Sequence, residues 1–176
     1  MKSEQDKTLE GLKIAVQMEI DGKEYYLKAS QNSSNELGKK LLASLAIAED
    51  IHRQRFKEIY DTIRNKKAWP VTDFQPDSGK RLRTIFTTAT EEIGTTIKTF
   101  DMELDAVQTA MDMESRTYDF YQNQDKRATN DAERYFYQAV ATEERQHYLA
   151  LLDYYEYLKD PAGWFVQKEH PSLDAG

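Results

Sequence analysis

Apolar residues recur at helical spacing along four long segments of the chain, and this pattern predicts four amphipathic helices. The predicted helices cover residues 8–31, 35–65, 101–124 and 130–160. Only a few residues, 32–34, connect the first two segments, so the helices on either side must lie antiparallel. The apolar stripes of all four helices can then meet in the core of a four-helix bundle.

The interval 66–100 is predicted to be a long crossover between the second and third helices. It contains the segment AWPVTDFQPDSG, whose prolines and glycine are typical of a loop. A further helix is predicted over about 80–100, although Gly94 and several threonines are unfavourable inside a helix. The tail, 161–176, is predicted to be irregular. The whole chain, 1–176, is expected to form one all-α domain, since its length suffices for a single sizeable core.

Two of the predicted helix starts carry capping signals. Ser33 and Glu36 have the spacing of a capping box at the start of the second helix. Asn130 and Glu133 have the same spacing at the start of the fourth helix. Both starts are therefore expected to be stabilised by side-chain hydrogen bonds to the first turn.

The chain also repeats itself at a distance of 95 residues, with repeat halves at about 8–65 and 101–160. The segment AVQMEIDGKEYY of the first half aligns with AMDMESRTYDFY of the second. In this register the distinctive positions coincide: Glu19 falls on Glu114, Glu49 on Glu144, and His52 on His147. Two of the three histidines of the chain take part in the pattern. The repeat indicates an internally duplicated helical hairpin.

Each half contains a Glu-x-x-His pair, and residues three apart project from one face of a helix. The lone glutamates Glu19 and Glu114 stand on the partner helices, each in the middle of an apolar stripe. Four carboxylates facing a helical core would each carry a desolvation cost of several kcal/mol and would repel one another. Two divalent cations would balance these charges, and the two imidazoles would be further ligands. The set therefore predicts a site of the kind that holds two iron or two manganese ions in helical bundles.

The predicted roles follow the repeat: Glu49 and Glu144 bridge the metals, Glu19 and Glu114 are terminal ligands, and His52 and His147 bind one metal each. The alternative is a set of surface ion pairs on exposed helix faces. A single Glu-x-x-His pair would be explained most simply in that way. Two pairs and two further glutamates in one register, all on apolar faces, favour the metal site.

Tyr26 and Tyr121 correspond under the same shift, and each stands seven residues beyond its glutamate. Their hydroxyls could reach the metal layer as catalytic groups that hydrogen-bond a ligand or an oxygen intermediate. They could equally be core aromatics with satisfied hydroxyls. His170 lies in the polar tail outside the repeat and is predicted not to be a ligand. Other aromatics are predicted to cover the ends of the bundle or a neighbouring subunit: Trp69, Trp164 and Phe165.

Composition narrows the function classes. The net charge of -7, without a basic stripe, argues against nucleic acid as the main partner. The absence of cysteine rules out disulfides and thiolate clusters within these residues. No stretch approaches the apolar length of a membrane span, and the polar start MKSEQDKTLE lacks the apolar core of a signal peptide. We therefore expect a cytoplasmic protein.

The six-residue set and the phrases MEIDGKEYYLKA and MESRTYDFYQN resemble the rubrerythrin branch of the ferritin-like superfamily. The tail GWFVQKEHPSLDAG is similar to the ends of stand-alone rubrerythrin-like proteins. This resemblance implies a ferritin-like bundle, usually a dimer, with a di-iron centre. It also implies reduction of hydrogen peroxide, with dioxygen reduction or ferrous iron oxidation in relatives.

Two departures from the family pattern matter. Rubrerythrins proper carry a four-cysteine rubredoxin module, and this chain has no cysteine, so we expect electrons from a separate rubredoxin-like carrier. Many rubrerythrins also place an additional glutamate one turn after the third-helix ligand. That position is Thr117 here, and its repeat mate is Gly22. The metal site is therefore expected to be more symmetric than in those relatives.

The leading hypothesis is a non-haem di-iron oxidoreductase that reduces hydrogen peroxide, or dioxygen, with electrons from an external donor. One alternative is a ferroxidase or iron-handling protein, in which iron is the substrate. The other is a non-catalytic helical module that a metal stabilises. Manganese shares these ligands with iron, and a homodimer is the expected assembly.

Overall fold

Two helical hairpins account for most of the fold in the computed structural model, which describes residues 3–66 and 68–169. Within these ranges the helices are α1 (Glu4–Asn32), α2 (Glu36–Lys66), α3 (Lys80–Ile93), α4 (Asp101–Arg127), α5 (Asp131–Lys159) and α6 (Pro161–Glu169). Helix α1 packs along α2, and α4 packs along α5. The predicted all-α bundle with a long crossover between its second and third long helices is confirmed.

Helix α1 begins earlier than the apolar pattern predicted because Ser3 caps it. The Ser3 hydroxyl accepts a hydrogen bond from the backbone N–H of Asp6, and the Asp6 carboxylate accepts one from the backbone N–H of Ser3. This reciprocal pair satisfies two donors and allows the polar first turn to be helical.

The capping box predicted for Ser33 and Glu36 was wrong. Asn35 caps α2 instead, since its side-chain oxygen accepts a hydrogen bond of 2.8 Å from the backbone N–H of Gly38. The Ser33 hydroxyl donates to the Glu103 carboxylate on α4, a tertiary contact that a local pattern does not reveal. The cap predicted at Asn130 is confirmed, because its side chain accepts from the Glu133 backbone N–H at 2.9 Å.

The crossover contains a shorter helix than predicted. Helix α3 ends at Ile93 because Gly94 adopts a positive φ of 61° and its N–H bonds back to the carbonyl of Thr90. The prediction of helix over 80–100 was therefore correct as far as residue 93 and wrong beyond it. Helix α3 lies against α2 and α5, next to the middle of the bundle.

The prediction that the tail is irregular was wrong for residues 161–169, which form α6. Pro161 suits the first helical position, where its missing N–H costs nothing. Asp160 accepts a hydrogen bond from the backbone N–H of Gly163 at 2.9 Å. The Trp164 ring packs on Phe86 of α3 and on Tyr157 of α5, with ring centroids 5.2 and 5.5 Å away. Residues 170–176, including His170, lie outside the described part of the chain.

The apolar core consists of two clusters. One surrounds Leu45, Val107 and Leu151, and the other surrounds Phe56 and Phe136. On each of the four long helices, the segment between the two clusters carries the acidic and histidine residues singled out by the repeat. None of the described helices combines the length and apolar composition needed to cross a bilayer.

Candidate metal centre

The structure brings all six repeat-related polar residues together in the middle of the bundle. They come from the central turns of α1, α2, α4 and α5 and are almost inaccessible to solvent. Their exposed fractions are 0% for Glu19, 3% for Glu49, 0% for His52, 2% for Glu114, 1% for Glu144 and 4% for His147. Such burial is unusual for carboxylates, and it excludes the alternative of ion pairs on exposed helix faces.

The donor atoms form two overlapping groups, each with all its atoms within 4.8 Å of one another. One group is Glu19, Glu49, His52 and Glu144, and the other is Glu49, Glu114, Glu144 and His147. Glu49 and Glu144 belong to both groups, so these two carboxylates lie where they could bridge two cations. Each group adds one lone glutamate and one imidazole. The two donor groups therefore contain the same residues that the repeat assigned to each metal.

Both imidazoles turn Nδ1 toward the carboxylates. His52 Nδ1 lies 3.0 Å from Glu144 and 3.4 Å from Glu19. His147 Nδ1 lies 3.2 Å from Glu49 and 3.5 Å from Glu114. The two rings are stacked, with centroids 5.6 Å apart. Each histidine therefore faces one of the two donor groups.

Several buried donor atoms at this centre have no hydrogen-bond partner among the described residues. They are Glu19 Oε2, Glu49 Oε1, His52 Nδ1, Glu114 Oε2, both carboxylate oxygens of Glu144, and His147 Nδ1. A buried polar atom without a partner costs about 1–3 kcal/mol, and more when it is charged. Because these atoms converge on two points, a cation at each point would satisfy them. The residues present thus fit a pair of metal ions.

In the absence of cations, the cluster holds protons. Burial, followed by repulsion from neighbouring glutamates, raises the pKa of Glu49 and of Glu144 well above the ordinary value. Burial alone would lower the pKa of His52 and His147, but their carboxylate neighbours, led by Glu19 and Glu114 respectively, raise it well above 6.5. Cations and protons therefore compete for the same atoms.

Two buried tyrosines link the hairpins at this level. Tyr26 of α1 donates a hydrogen bond to Glu114 of α4, and Tyr121 of α4 donates one to Glu19 of α1. Burial, and then the charge of the bonded glutamate, raises the pKa of each tyrosine well above 10. Both hydroxyls therefore stay protonated and act as donors to the two lone carboxylates.

Sequence reasoning missed Glu143. Its carboxylate accepts a hydrogen bond from His52 Nε2 at 2.6 Å and another from the backbone N–H of Asp77 at 2.8 Å. Burial opposes the charge of Glu143, but the bond to His52 outweighs it and lowers the pKa of the carboxyl. The available signal was its position beside Glu144 in the segment TEERQH, where an acidic residue on the adjacent helix face can reach the opposite hairpin.

A cavity of about 190 Å³ lies beside the centre, between α2, α5 and the crossover. Its lining includes Ala48, Phe74, Arg81, Glu143 and His147. It touches His147 but not His52. Small molecules in this cavity would approach the centre from the His147 side.

Thr117 and its repeat mate Gly22, where the chain departs from the family pattern, carry no carboxylate. Thr117 donates its hydroxyl to the backbone carbonyl of Met113 at 3.0 Å. A Cβ on Gly22 would lie 2.9 Å from Glu49 Oε2, so the glycine leaves space for that side chain. The four carboxylates and the two tyrosines are arranged alike in the two halves, whereas the Nε2 contacts of the two imidazoles differ.

Comparison with known protein families gives one clear result. Residues 10–155 match the family model described as Rubrerythrin. The matched segment includes the six central residues, both tyrosines and Glu143. The corresponding comparisons with curated proteins and with solved structures gave no match.

Proposed function

The chain belongs to the rubrerythrin family, and from this we propose that it is a non-haem di-iron oxidoreductase that reduces hydrogen peroxide, or dioxygen. The observation that carries the proposal is the buried set of carboxylate and imidazole atoms that lack other partners. Carboxylate and imidazole donors suit iron and manganese, and this combination is the one that helical bundles use for paired metals.

In the proposed centre, each of the six residues keeps the role that its position supports. Glu49 and Glu144 would bridge the ions, because they belong to both donor groups. The remaining residues would divide between the two ions, with Glu19 and His52 holding one and Glu114 and His147 holding the other. A bound pair of ferrous ions would supply the two electrons that reduction of a peroxide bond requires.

The surrounding residues would orient the carboxylates and control access. Tyr26 and Tyr121 hold the two lone glutamates through hydroxyls that remain protonated, so each also keeps a proton close to the centre. The apolar clusters above and below exclude bulk water. The cavity beside His147 has room for a molecule as small as peroxide. We assign the two tyrosines as the candidate catalytic groups on this basis.

The electron donor is proposed to be a separate rubredoxin-like protein, because these 176 residues contain no cysteine to hold a redox iron of that kind. A homodimer is proposed as the assembly. Phe100 and Met102 support it, since they are 57% and 84% exposed and lie together at an apolar groove beside Tyr25. The cytoplasmic location stays a prediction.

Anaerobic loading with ferrous iron, followed by rapid mixing with peroxide, tests the proposal. We expect two irons per chain and an absorbance change at least about tenfold faster than that of free ferrous iron, which corresponds to about 1.4 kcal/mol in barrier. The variant Glu144→Ala should lose this reaction. Glu58→Ala, which removes an exposed carboxylate paired with Arg55, should retain it.

Three results would count against the proposal. Oxidation no faster than that of free iron would indicate a metal-stabilised module without catalysis. Many ferrous ions consumed per chain would indicate that iron is the substrate, as in a ferroxidase. Failure to bind two metal ions would remove the centre itself.

A further inference from the structure

The two histidines of the centre are related by the repeat, yet their far sides meet different surroundings. His52 is held through Nε2 by Glu143, at 2.6 Å. Glu143 is itself fixed by the backbone N–H of Asp77 in the crossover, at 2.8 Å. The imidazole of His52 is therefore anchored to the chain on the side opposite the metal-facing Nδ1.

The corresponding anchor is missing at His147. Under the 95-residue shift, the counterpart of Glu143 is Ala48, which precedes Glu49 on α2 as Glu143 precedes Glu144 on α5. A methyl group cannot accept a hydrogen bond. Among the described residues, the polar contacts of His147 all involve Nδ1, and none involves Nε2. Ala48 and His147 both line the 190 Å³ cavity.

We propose that the two metal positions are unequal: the ion at Glu19 and His52 binds tightly, and the ion at Glu114 and His147 binds weakly and exchanges through the cavity. This inference rests on the proposed function, since it assumes a pair of bound cations. In this proposal Glu143 is a positioning residue for His52. The alanine at the equivalent position, Ala48, leaves His147 without such a residue, and this creates the difference in affinity.

The physical reason lies in the imidazole. A carboxylate on Nε2–H fixes the tautomer that leaves the Nδ1 lone pair free for a metal, limits rotation of the ring and increases its basicity. Loss of such a partner typically weakens metal binding about 10–100-fold. His147 lacks this contribution while sharing the same two bridging glutamates. The difference in affinity between the two positions is expected to fall in that range.

Zinc titration of the metal-free chain tests the order of filling. Histidine labelled with ¹⁵N reports coordination directly, because only the ring that binds zinc changes its Nδ1 resonance strongly. We expect the first equivalent to shift His52 and the second to shift His147, with dissociation constants at least about tenfold apart. Resonances are assigned with His147→Gln.

Two reciprocal variants test the cause. Ala48→Glu places a carboxylate in the cavity, where it can reach His147, and should tighten the second step about tenfold while leaving the first unchanged. Glu143→Ala should weaken the first step until the two steps merge. The control Gln146→Ala removes a different contact between α5 and the crossover, the bond to Arg83, and should change neither step.

The outcomes separate this inference from the proposed function. Two equal binding steps, or a first equivalent at His147, would overturn the inference while leaving a two-metal centre intact. Failure to bind a second zinc or iron at all would overturn both. If Glu143→Ala does not fold, the wild-type filling order and the Ala48→Glu variant still decide the question.

Discussion

The hydroxyl of Tyr26 on α1 donates a hydrogen bond to the carboxylate of Glu114 on α4, and this bond joins the two hairpins inside the core. The equivalent residues of the repeat form a matching bond, in which Tyr121 on α4 donates to Glu19 on α1. Each lone glutamate is therefore oriented from the opposite hairpin. Because α1 and α4 share few other contacts, these two bonds fix much of the geometry across that side of the bundle.

Tyr26→Phe should lower the free energy of unfolding of the metal-free protein by about 1.5–3 kcal/mol, because it removes a buried hydrogen bond to an acidic group. Urea denaturation followed by circular dichroism measures this change. Tyr25→Phe is the matched control. It removes a half-buried bond of 2.7 Å to the neutral carbonyl of Ala106 and should cost only about 0.5–1.5 kcal/mol. Equal losses in the two variants would contradict this account of Tyr26.

The metal-free protein should lose stability as pH rises above about 6.5. Glu49, Glu144, His52 and His147 all have a raised pKa in the folded state. The folded state therefore binds more protons than the unfolded state above the ordinary histidine pKa of about 6.5, and stability falls with pH. Scanning calorimetry of chelator-treated protein at several pH values measures the trend.

The metal-loaded protein is the control for this pH dependence. Cations have already displaced the protons, so its melting temperature should vary much less over the same range. Glu114 and Glu143 have lowered pKa values, and their contribution is complete above pH 4.5 and constant in this window. A melting temperature of the metal-free protein that is flat or rises with pH would contradict the raised pKa values of the buried glutamates and histidines.

The central residues could be predicted from sequence because helix geometry and the repeat constrain them together. Spacing places Glu49 and His52 on one face, and the apolar neighbours of Glu19 show that this face points inward. The 95-residue register then identifies the same residues in the second half. Burial of a charged group needs a compensating partner, so the chemistry follows from the pattern.

Other features depend on contacts that the linear pattern does not contain. Glu143 was not singled out from the sequence, because only the packing of α5 against α2 brings it to His52. Ser33 was predicted to cap α2, but its hydroxyl donates a hydrogen bond to Glu103 on α4. Helix α6 is short and has little helical signal, and the burial of Trp164 against α3 stabilises it. In each case a tertiary contact outweighs a local preference.

Gly22→Ala should weaken metal binding about tenfold or more without destabilising the metal-free fold. Its Cβ would lie 2.9 Å from Glu49 Oε2, so the bridging carboxylate must shift. The helix itself gains about 0.5–1 kcal/mol from replacing an interior glycine by alanine. Zinc titration measures the affinity, and thermal unfolding of the chelated protein measures the stability.

Gly11→Ala separates these two effects. Its Cβ would meet the end of the flexible Gln124 side chain at 3.0 Å, away from the centre, and that side chain can move aside. It should show the gain in helix stability with unchanged metal affinity. If Gly22→Ala binds two metals as tightly as Gly11→Ala does, the space beside Glu49 has no part in positioning that carboxylate.

Glu103→Ala should destabilise the fold by about 2–4 kcal/mol while leaving the metal stoichiometry unchanged. The buried Glu103 carboxylate accepts hydrogen bonds from Ser33, Asn35 and Tyr154, at 2.5, 3.0 and 2.7 Å. It thereby ties the connection between α1 and α2 to α4 and α5 at one end of the bundle, away from the six central residues. Glu103→Gln retains one accepting oxygen and should lose less stability. Urea unfolding and zinc titration of both variants test this separation, and loss of a metal position in Glu103→Ala would show that the two regions are coupled.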